Sequence, residues 1–119
     1  MQEFMCLIYT NDDHMTAMSP EDQQKHIEKV GAFLHQLAAN GTVKSAQPLS
    51  MDGAVLKGGE GMVHDVPFTE TKEIIGGYYH IVAQDLASAI DIVKKDPRFE
   101  EDFWKIEIRP ISVVPGIND

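Results

Sequence analysis

The chain has 119 residues, of which 43% are hydrophobic and 24% charged, which is typical of one globular domain. Its formal net charge of −9 and its scattered basic residues argue against a nucleic-acid partner. The first residues lack a signal-peptide pattern and no apolar run reaches the roughly 20 residues of a membrane helix, so we expect a cytoplasmic protein with no membrane partner.

The first third of the chain predicts a strand and a long helix. Residues 3–9 are a nearly unbroken apolar run that favours a buried strand, and the single cysteine, Cys6, lies in it as a packed side chain. Ser19 has the character of a helix N-cap with Pro20 at the first helical position, and Asn40-Gly41 ends the helix. Its apolar stripe consists of Ile27, Val30, Phe33, Leu34, Leu37 and Ala38.

The middle of the chain predicts a strand, a hairpin and a loop. Residues 42–49 favour a strand, and residues 56–63 favour a hairpin with a glycine-rich turn. Residues 65–69 are predicted to form a loop, because Pro67 cannot donate to a strand ladder and disfavours helix at Val66.

The last third predicts a strand, a helix and a final strand. Residues 76–83 form the strand, with Tyr79 on one face and Tyr78 on the other. Asp85 is the predicted N-cap of the helix, which ends before Asp96-Pro97. Residues 104–108 alternate between apolar and charged side chains, as a strand with one buried face does.

This order of elements predicts an α+β fold. It is the ferredoxin-like split βαβ pattern with an inserted β-hairpin, built on one antiparallel sheet across the single domain, residues 1–119. Both helices cover the same face of such a sheet, and we expect the uncovered face to be apolar. A homodimer would bury that face, so we expect the chain's protein partner to be a second copy of itself.

A motif near the middle of the chain carries a family resemblance. Residues 65–73 read DVPFTETKE, residues 76–79 read GGYY, and residues 106–110 read IEIRP. These segments resemble the YCII-related family, also called DGPF-domain proteins. The resemblance implies a dimeric α/β-barrel fold. The family's motif has glycine where this chain has Val66, so a positive φ, which valine does not tolerate well, is not expected there.

His26 and Asp65 are the candidate catalytic residues. His26 lies on the apolar stripe of the first helix, where a histidine is either a general base or a packed core residue. Asp65 opens the family motif and is either the partner of this imidazole or a turn-forming aspartate. The resemblance implies a His–Asp pair in a cleft, which favours pairing these two.

Phe68, Lys72 and Tyr79 are the candidate substrate-binding residues. Lys72 could bind an anionic group or pair with a neighbouring glutamate on the surface. Tyr79 could donate its hydroxyl into a cleft or pack in the core. We expect no metal site, because one cysteine and no closely spaced histidine pair are present.

Three functions remain open at this point. The first is a cofactor-independent lyase acting on a small molecule, since the resemblance includes dehydrochlorinases of chlorinated hydroxyhydroquinones. The second is a non-catalytic ligand-binding module, since other relatives are associated with stress and sigma-factor regulation. The third is a cofactor-free monooxygenase-like activity, which other dimeric α/β barrels have. No cofactor is expected in any of the three.

Overall fold

The framework of the molecule is a four-stranded antiparallel sheet, in which neighbouring strands follow the order Val43–Pro48, Ile74–Ala83, Gln2–Thr10 and Lys105–Pro110. The computed structural model describes residues 1–11, 17–66 and 73–119. The elements are β1 (Gln2–Thr10), α1 (Pro20–Ala39), β2 (Val43–Pro48), β3 (Val55–Gly59), β4 (Met62–Val66), β5 (Ile74–Ala83), α2 (Leu86–Val93), a 3-10 turn (Pro97–Glu100) and β6 (Lys105–Pro110). This is the ferredoxin-like arrangement, with β3 and β4 inserted as a separate hairpin, and the predicted fold class is confirmed.

Both helices begin at the residues that the sequence indicated. Ser19 Oγ accepts a hydrogen bond from the Asp22 amide at 3.1 Å, and Asp85 Oδ1 accepts one from the Ser88 amide at 2.8 Å. Gly41, just beyond the end of α1, has a φ of +72°, the left-handed conformation that ends many helices. The caps and the helix end are therefore confirmed.

The core lies between the helices and one face of the sheet. Alternate residues of β1 and β5 point into it, and they pack against Ala89 and Val93 of α2. Its largest fully buried side chains are Phe4, Cys6, Tyr79 and Ile81. On α1, Val30 and Leu37 are buried as predicted, whereas Ile27 is 55% exposed and Ala38 is also exposed, so the predicted stripe is wrong at those two positions. Ile27 lies instead at the rim of a cavity.

The opposite face of the sheet is covered by no described helix and is less apolar than expected. Met5 and Leu7 of β1 are half-buried there, beside Val82 of β5. Charged side chains surround them. Glu3 accepts hydrogen bonds from Lys44 Nζ at 2.7 Å and from His80 Nε2 at 2.8 Å. On β6, the charged residues are Lys105, Glu107 and Arg109. We call this surface the open face. The Lys44 and His80 hydrogen bonds lower the pKa of the Glu3 carboxyl.

The inserted hairpin, which we call the arm (β3 and β4), forms a two-stranded sheet that pairs with no other strand in the described part of the chain. Its two-residue turn is Glu60-Gly61, with φ values of 52° and 75°, as in a type I′ turn.

The predicted loop at residues 65–69 is wrong for its first two residues. Asp65 and Val66 belong to β4, where pairing with β3 satisfies the backbone up to the residue before Pro67. Val66 is extended opposite Val55, so valine fits without strain.

Candidate functional site

A cavity of about 560 Å³ opens between α1, one end of the sheet and the segment that precedes β6. That volume is within the usual range for small-molecule sites, about 300–1,000 Å³. Its wall is mostly apolar. The aliphatic side chains that line it are Ile8, Ile27, Val30, Leu34, Leu49 and Met51. A few polar groups interrupt this wall, and His26 and Arg98 are prominent among them.

His26 is held from two sides at this cavity. Its ring is stacked on the Trp104 indole, with centroids 5.2 Å apart and planes 9° from parallel. Its Nδ1 lies 3.3 Å from Glu101 Oε1, and Trp104 Nε1 donates to the same oxygen at 3.4 Å. Only 12% of the His26 side chain is exposed. Nδ1 is the ring atom that faces the Glu101 carboxylate, and Nε2 is the ring nitrogen that does not contact it.

A second group of hydrogen bonds is centred on the buried Asp96. Its Oδ2 accepts from the Tyr79 hydroxyl at 3.1 Å and from Arg98 Nη1 at 2.8 Å, and its Oδ1 accepts from the Arg98 amide at 2.9 Å. Burial and the neighbouring Asp96 charge raise the pKa of the Tyr79 hydroxyl far above its usual range. The hydroxyl therefore stays a donor to Asp96.

The turn after α2 explains why these groups meet. Asp96 caps the 3-10 turn and Pro97 occupies its first position, where the missing amide proton costs nothing. The turn places the Arg98 guanidinium 5.8 Å from the centre of the Trp104 ring, a cation–π distance. Glu101 follows directly and reaches the same tryptophan. One short segment thus positions Arg98, Glu101 and Trp104 against His26 of α1.

The predicted site residues are distributed over several parts of the molecule. The structure places His26 at the cavity and Tyr79 in its wall, with the Tyr79 hydroxyl engaged by Asp96. Asp65 is exposed on the arm, opposite Leu56, and the carboxylate that the described structure brings to His26 is Glu101. Phe68 and Lys72 lie outside the described residues.

Sequence reasoning missed three contributors, Arg98, Glu101 and Trp104. The chain has one tryptophan and two arginines, and both arginines lie within six positions of the tryptophan. The closeness of these three residues was the feature of the sequence that could have indicated the site. Among the residues that the structure describes, no group of three or more His, Cys, Asp or Glu side chains is arranged to hold a metal ion.

Gly31 lines the cavity, and Gly77 lies beside it in the pairing of β2 with β5. A Cβ at Gly31 of α1 would meet nothing within 4 Å, so this position borders open space. A Cβ at Gly77 would lie 3.0 Å from the backbone oxygen of Gln47, so glycine permits β2 to approach β5 there. The Gly-Gly pair of the motif is thus explained at Gly77 by close strand packing.

Comparison with known proteins establishes the family. A model of the YCII-related domain matches residues 2–112, nearly the whole chain. The chain belongs to the YCII-related family. An uncharacterised protein of Rhizobium meliloti is 26% identical over 118 residues, which cover 95% of each chain. No helix in the described part of this YCII-related chain is both long and apolar enough to cross a membrane.

A solved structure is also similar to this YCII-related protein. It is 5-chloro-2-hydroxyhydroquinone dehydrochlorinase (TftG) from Burkholderia phenoliruptrix AC1100, in complex with 2,5-dihydroxybenzoquinone. The identity is 19%, the TM-score is 0.47, and the match covers 97% of this chain and 99% of that one.

Proposed function

We propose that this YCII-related protein binds a small organic molecule in the cavity and that His26 is the general base that acts on it. The observation that carries the proposal is the pairing of His26 with Glu101 at the cavity wall, 3.3 Å apart. A carboxylate on Nδ1 fixes the tautomer and the orientation of the ring, and it stabilises the imidazolium that forms when Nε2 takes a proton.

The reaction class that fits is an elimination. His26 Nε2 removes a proton from a carbon of the substrate, the electrons of that C–H bond form a new double bond, and the leaving group departs with its own electron pair. No oxidant or reductant is consumed. Glu101 balances the charge on His26 during the step, and the apolar wall limits access of water. Elimination is also one of the three functions that the sequence left open.

Asp65 remains a proposed second partner of His26 on the strength of the family motif. It lies on the arm, away from the Glu101 contact of the same chain. Glu101→Gln and Asp65→Asn each remove one carboxylate charge with little change in shape. If Glu101 orients the ring, Glu101→Gln lowers turnover strongly and Asp65→Asn does so weakly. The reverse result assigns the orienting role to Asp65.

A ligand-binding module without turnover is the second candidate. The observation that favours it is the packing of His26, which is mostly buried and stacked on Trp104, as a structural histidine can be. Binding without product formation would select this candidate over the lyase.

The decisive experiment screens β-substituted acids and halogenated, hydroxylated aromatic compounds for binding by thermal shift and for release of the leaving group. We expect one class to bind and react, and His26→Gln to lower the rate by about 10²–10⁴-fold, the usual contribution of a general base. Turnover that survives His26→Gln unchanged would contradict the proposal.

A blocking variant tests whether the cavity is the site. Gly31→Met projects a side chain into the open space beside His26, so it should abolish the ligand-induced thermal shift. Ala32→Met adds a similar side chain at the next position of α1, which does not line this cavity, and should leave the shift intact. Equal binding by both variants would place the site elsewhere.

A further inference from the structure

We infer that Arg98 is the anion-binding group of the cavity and that the ligand is a small organic acid with an aromatic or apolar body. The inference rests on the proposed binding site and deepens it, because it names the class of molecule that the cavity accepts.

The guanidinium has hydrogen-bond donors to spare. Arginine carries five N–H donors in a planar fork. Asp96 Oδ2 accepts from Nη1, and in the described part of the chain no acceptor is seen for Nε or Nη2. The Arg98 side chain lines the cavity and is only 13% exposed. Donors so far removed from water are satisfied well by a carboxylate, which can accept two N–H bonds from one guanidinium.

Arg98 is the cation that the described cavity wall presents to a ligand. The described residues that line the cavity include no aspartate, glutamate or lysine. Asp96 is buried and pairs with Arg98, but its side chain engages only the Nη1 atom of the guanidinium. An anionic group of a ligand at this wall therefore meets an arginine and no facing carboxylate. Negative charge that develops on a bound ligand is stabilised by the same group.

Trp104 sets an upper limit on the distance between His26 and Arg98. The His26 ring is 5.2 Å and the Arg98 guanidinium carbon 5.8 Å from the centre of this indole, so the two groups lie within about 11 Å of each other. One substituted aromatic ring can span that distance. Its body would cover Ile27 and Met51, the exposed side chains at the cavity rim, which supplies the hydrophobic part of the binding energy.

Discrimination between charged and neutral ligands is the measurable consequence. Benzoate and benzamide have nearly the same shape, but only benzoate carries the negative charge and two equivalent acceptor oxygens. We expect calorimetry to give at least tenfold tighter binding of benzoate to the wild-type protein. Arg98→Lys keeps a charge that can pair with Asp96 but loses the fork, so it should reduce the preference to a few-fold.

The control variant is Lys29→Met. It removes one positive charge from the exposed face of α1, where Lys29 pairs with Glu100 outside the cavity. The preference for benzoate should be unchanged in this variant. A loss of preference in Lys29→Met equal to that in Arg98→Lys would mean that net charge, not the Arg98 site, selects the anion, and would overturn the inference.

Wild-type NMR gives a test that needs no variant. The chain contains two arginines, Arg98 and Arg109, so the arginine Nε–H region should hold two signals. Benzoate should shift the Arg98 signal and leave that of Arg109, on the open face, in place. A shift of Arg109 alone, or of neither signal, overturns the inference. Anion binding through Arg98 without any turnover would reject the catalytic proposal and leave this inference standing.

Discussion

Cys6 lies on the inner face of the sheet, at the centre of the core. It has no exposed surface, and desolvation, with a smaller contribution from the Asp96 charge, raises the pKa of its thiol from 9.0 to about 12. The thiol is therefore neutral at physiological pH, as the packed side chain predicted from the sequence would be. A catalytic role for this cysteine is not supported by its surroundings.

The first prediction concerns the reactivity of Cys6. At pH 8 the folded protein should not react with Ellman's reagent within minutes, and one thiol per chain should react at once in denaturant. Because the thiol pKa is raised by folding, its contribution to stability is present below pH 9 and is lost as the pH rises from about 9 to about 12. Rapid labelling of the folded protein would show that the core opens readily.

For single residues, the predictions from sequence agree with the structure only where a local pattern determines which way a side chain faces. Helical spacing placed His26 on the inner side of α1, and strand alternation separated Tyr79 from Tyr78. The partner of His26 was not predictable, because Glu101 is 75 positions away and comes near through the packing of the 3-10 turn against α1. A carboxylate in a sequence motif indicated Asp65 instead, and no local pattern could rank the two.

At the scale of elements, α1 contains a glycine that costs stability. Glycine in a helix interior is less favourable than alanine by about 0.5–1 kcal/mol. Gly31 lies in the middle of α1, and a Cβ there would meet open space in the cavity. The glycine therefore keeps the cavity wide at the expense of the helix.

The second prediction follows from this position. Gly31→Ala should raise the free energy of unfolding by about 0.5–1 kcal/mol, measured by urea denaturation. Gly41→Ala is the matched control, because its φ of +72° strains any side chain and the same substitution should there be destabilising. Destabilisation by Gly31→Ala would indicate that the helix is distorted at that residue.

The boundaries of elements were predicted well where a side chain caps the backbone and less well elsewhere. Ser19 and Asp85 mark helix starts that hydrogen bonds confirm. The end of β4 was placed too early, because Pro67 was taken to break the pattern before Asp65. Proline removes only its own amide, so the strand continues to the residue before it.

At the scale of the whole molecule, the open face is the surface that we propose a second copy covers. It combines half-buried apolar side chains, such as Met5 and Leu7, with charges of both signs. Lys105 and Arg109 on one copy can face Glu3 and Glu107 on the other, which an exclusively acidic face would not allow. A standard interface between two such copies buries about 1,600 Å² in total.

The third prediction tests this association. Sedimentation at micromolar concentration should give about twice the chain mass of 13.3 kDa. Leu7→Arg replaces an apolar side chain at the centre of the open face with a longer, charged one and should yield a monomer, whereas Val63→Arg, on the 72% exposed β4 position, should not. A wild-type monomer would contradict the homodimer, and dimers in both variants would place the interface on another surface.

The arm has a consequence for how the stability of this protein is read by spectroscopy. Among the strands that the structure describes, its two strands pair only with each other, and an isolated two-stranded ribbon is marginal in water. The single tryptophan, Trp104, directly precedes β6, and its ring contacts in the described structure are with His26 of α1 and with Arg98 and Phe103, none of which belongs to the arm. We therefore expect fluorescence to follow unfolding around the main sheet and α1, and not the separate unfolding of the arm. Amide exchange would record the arm as a separate, weaker cooperative unit.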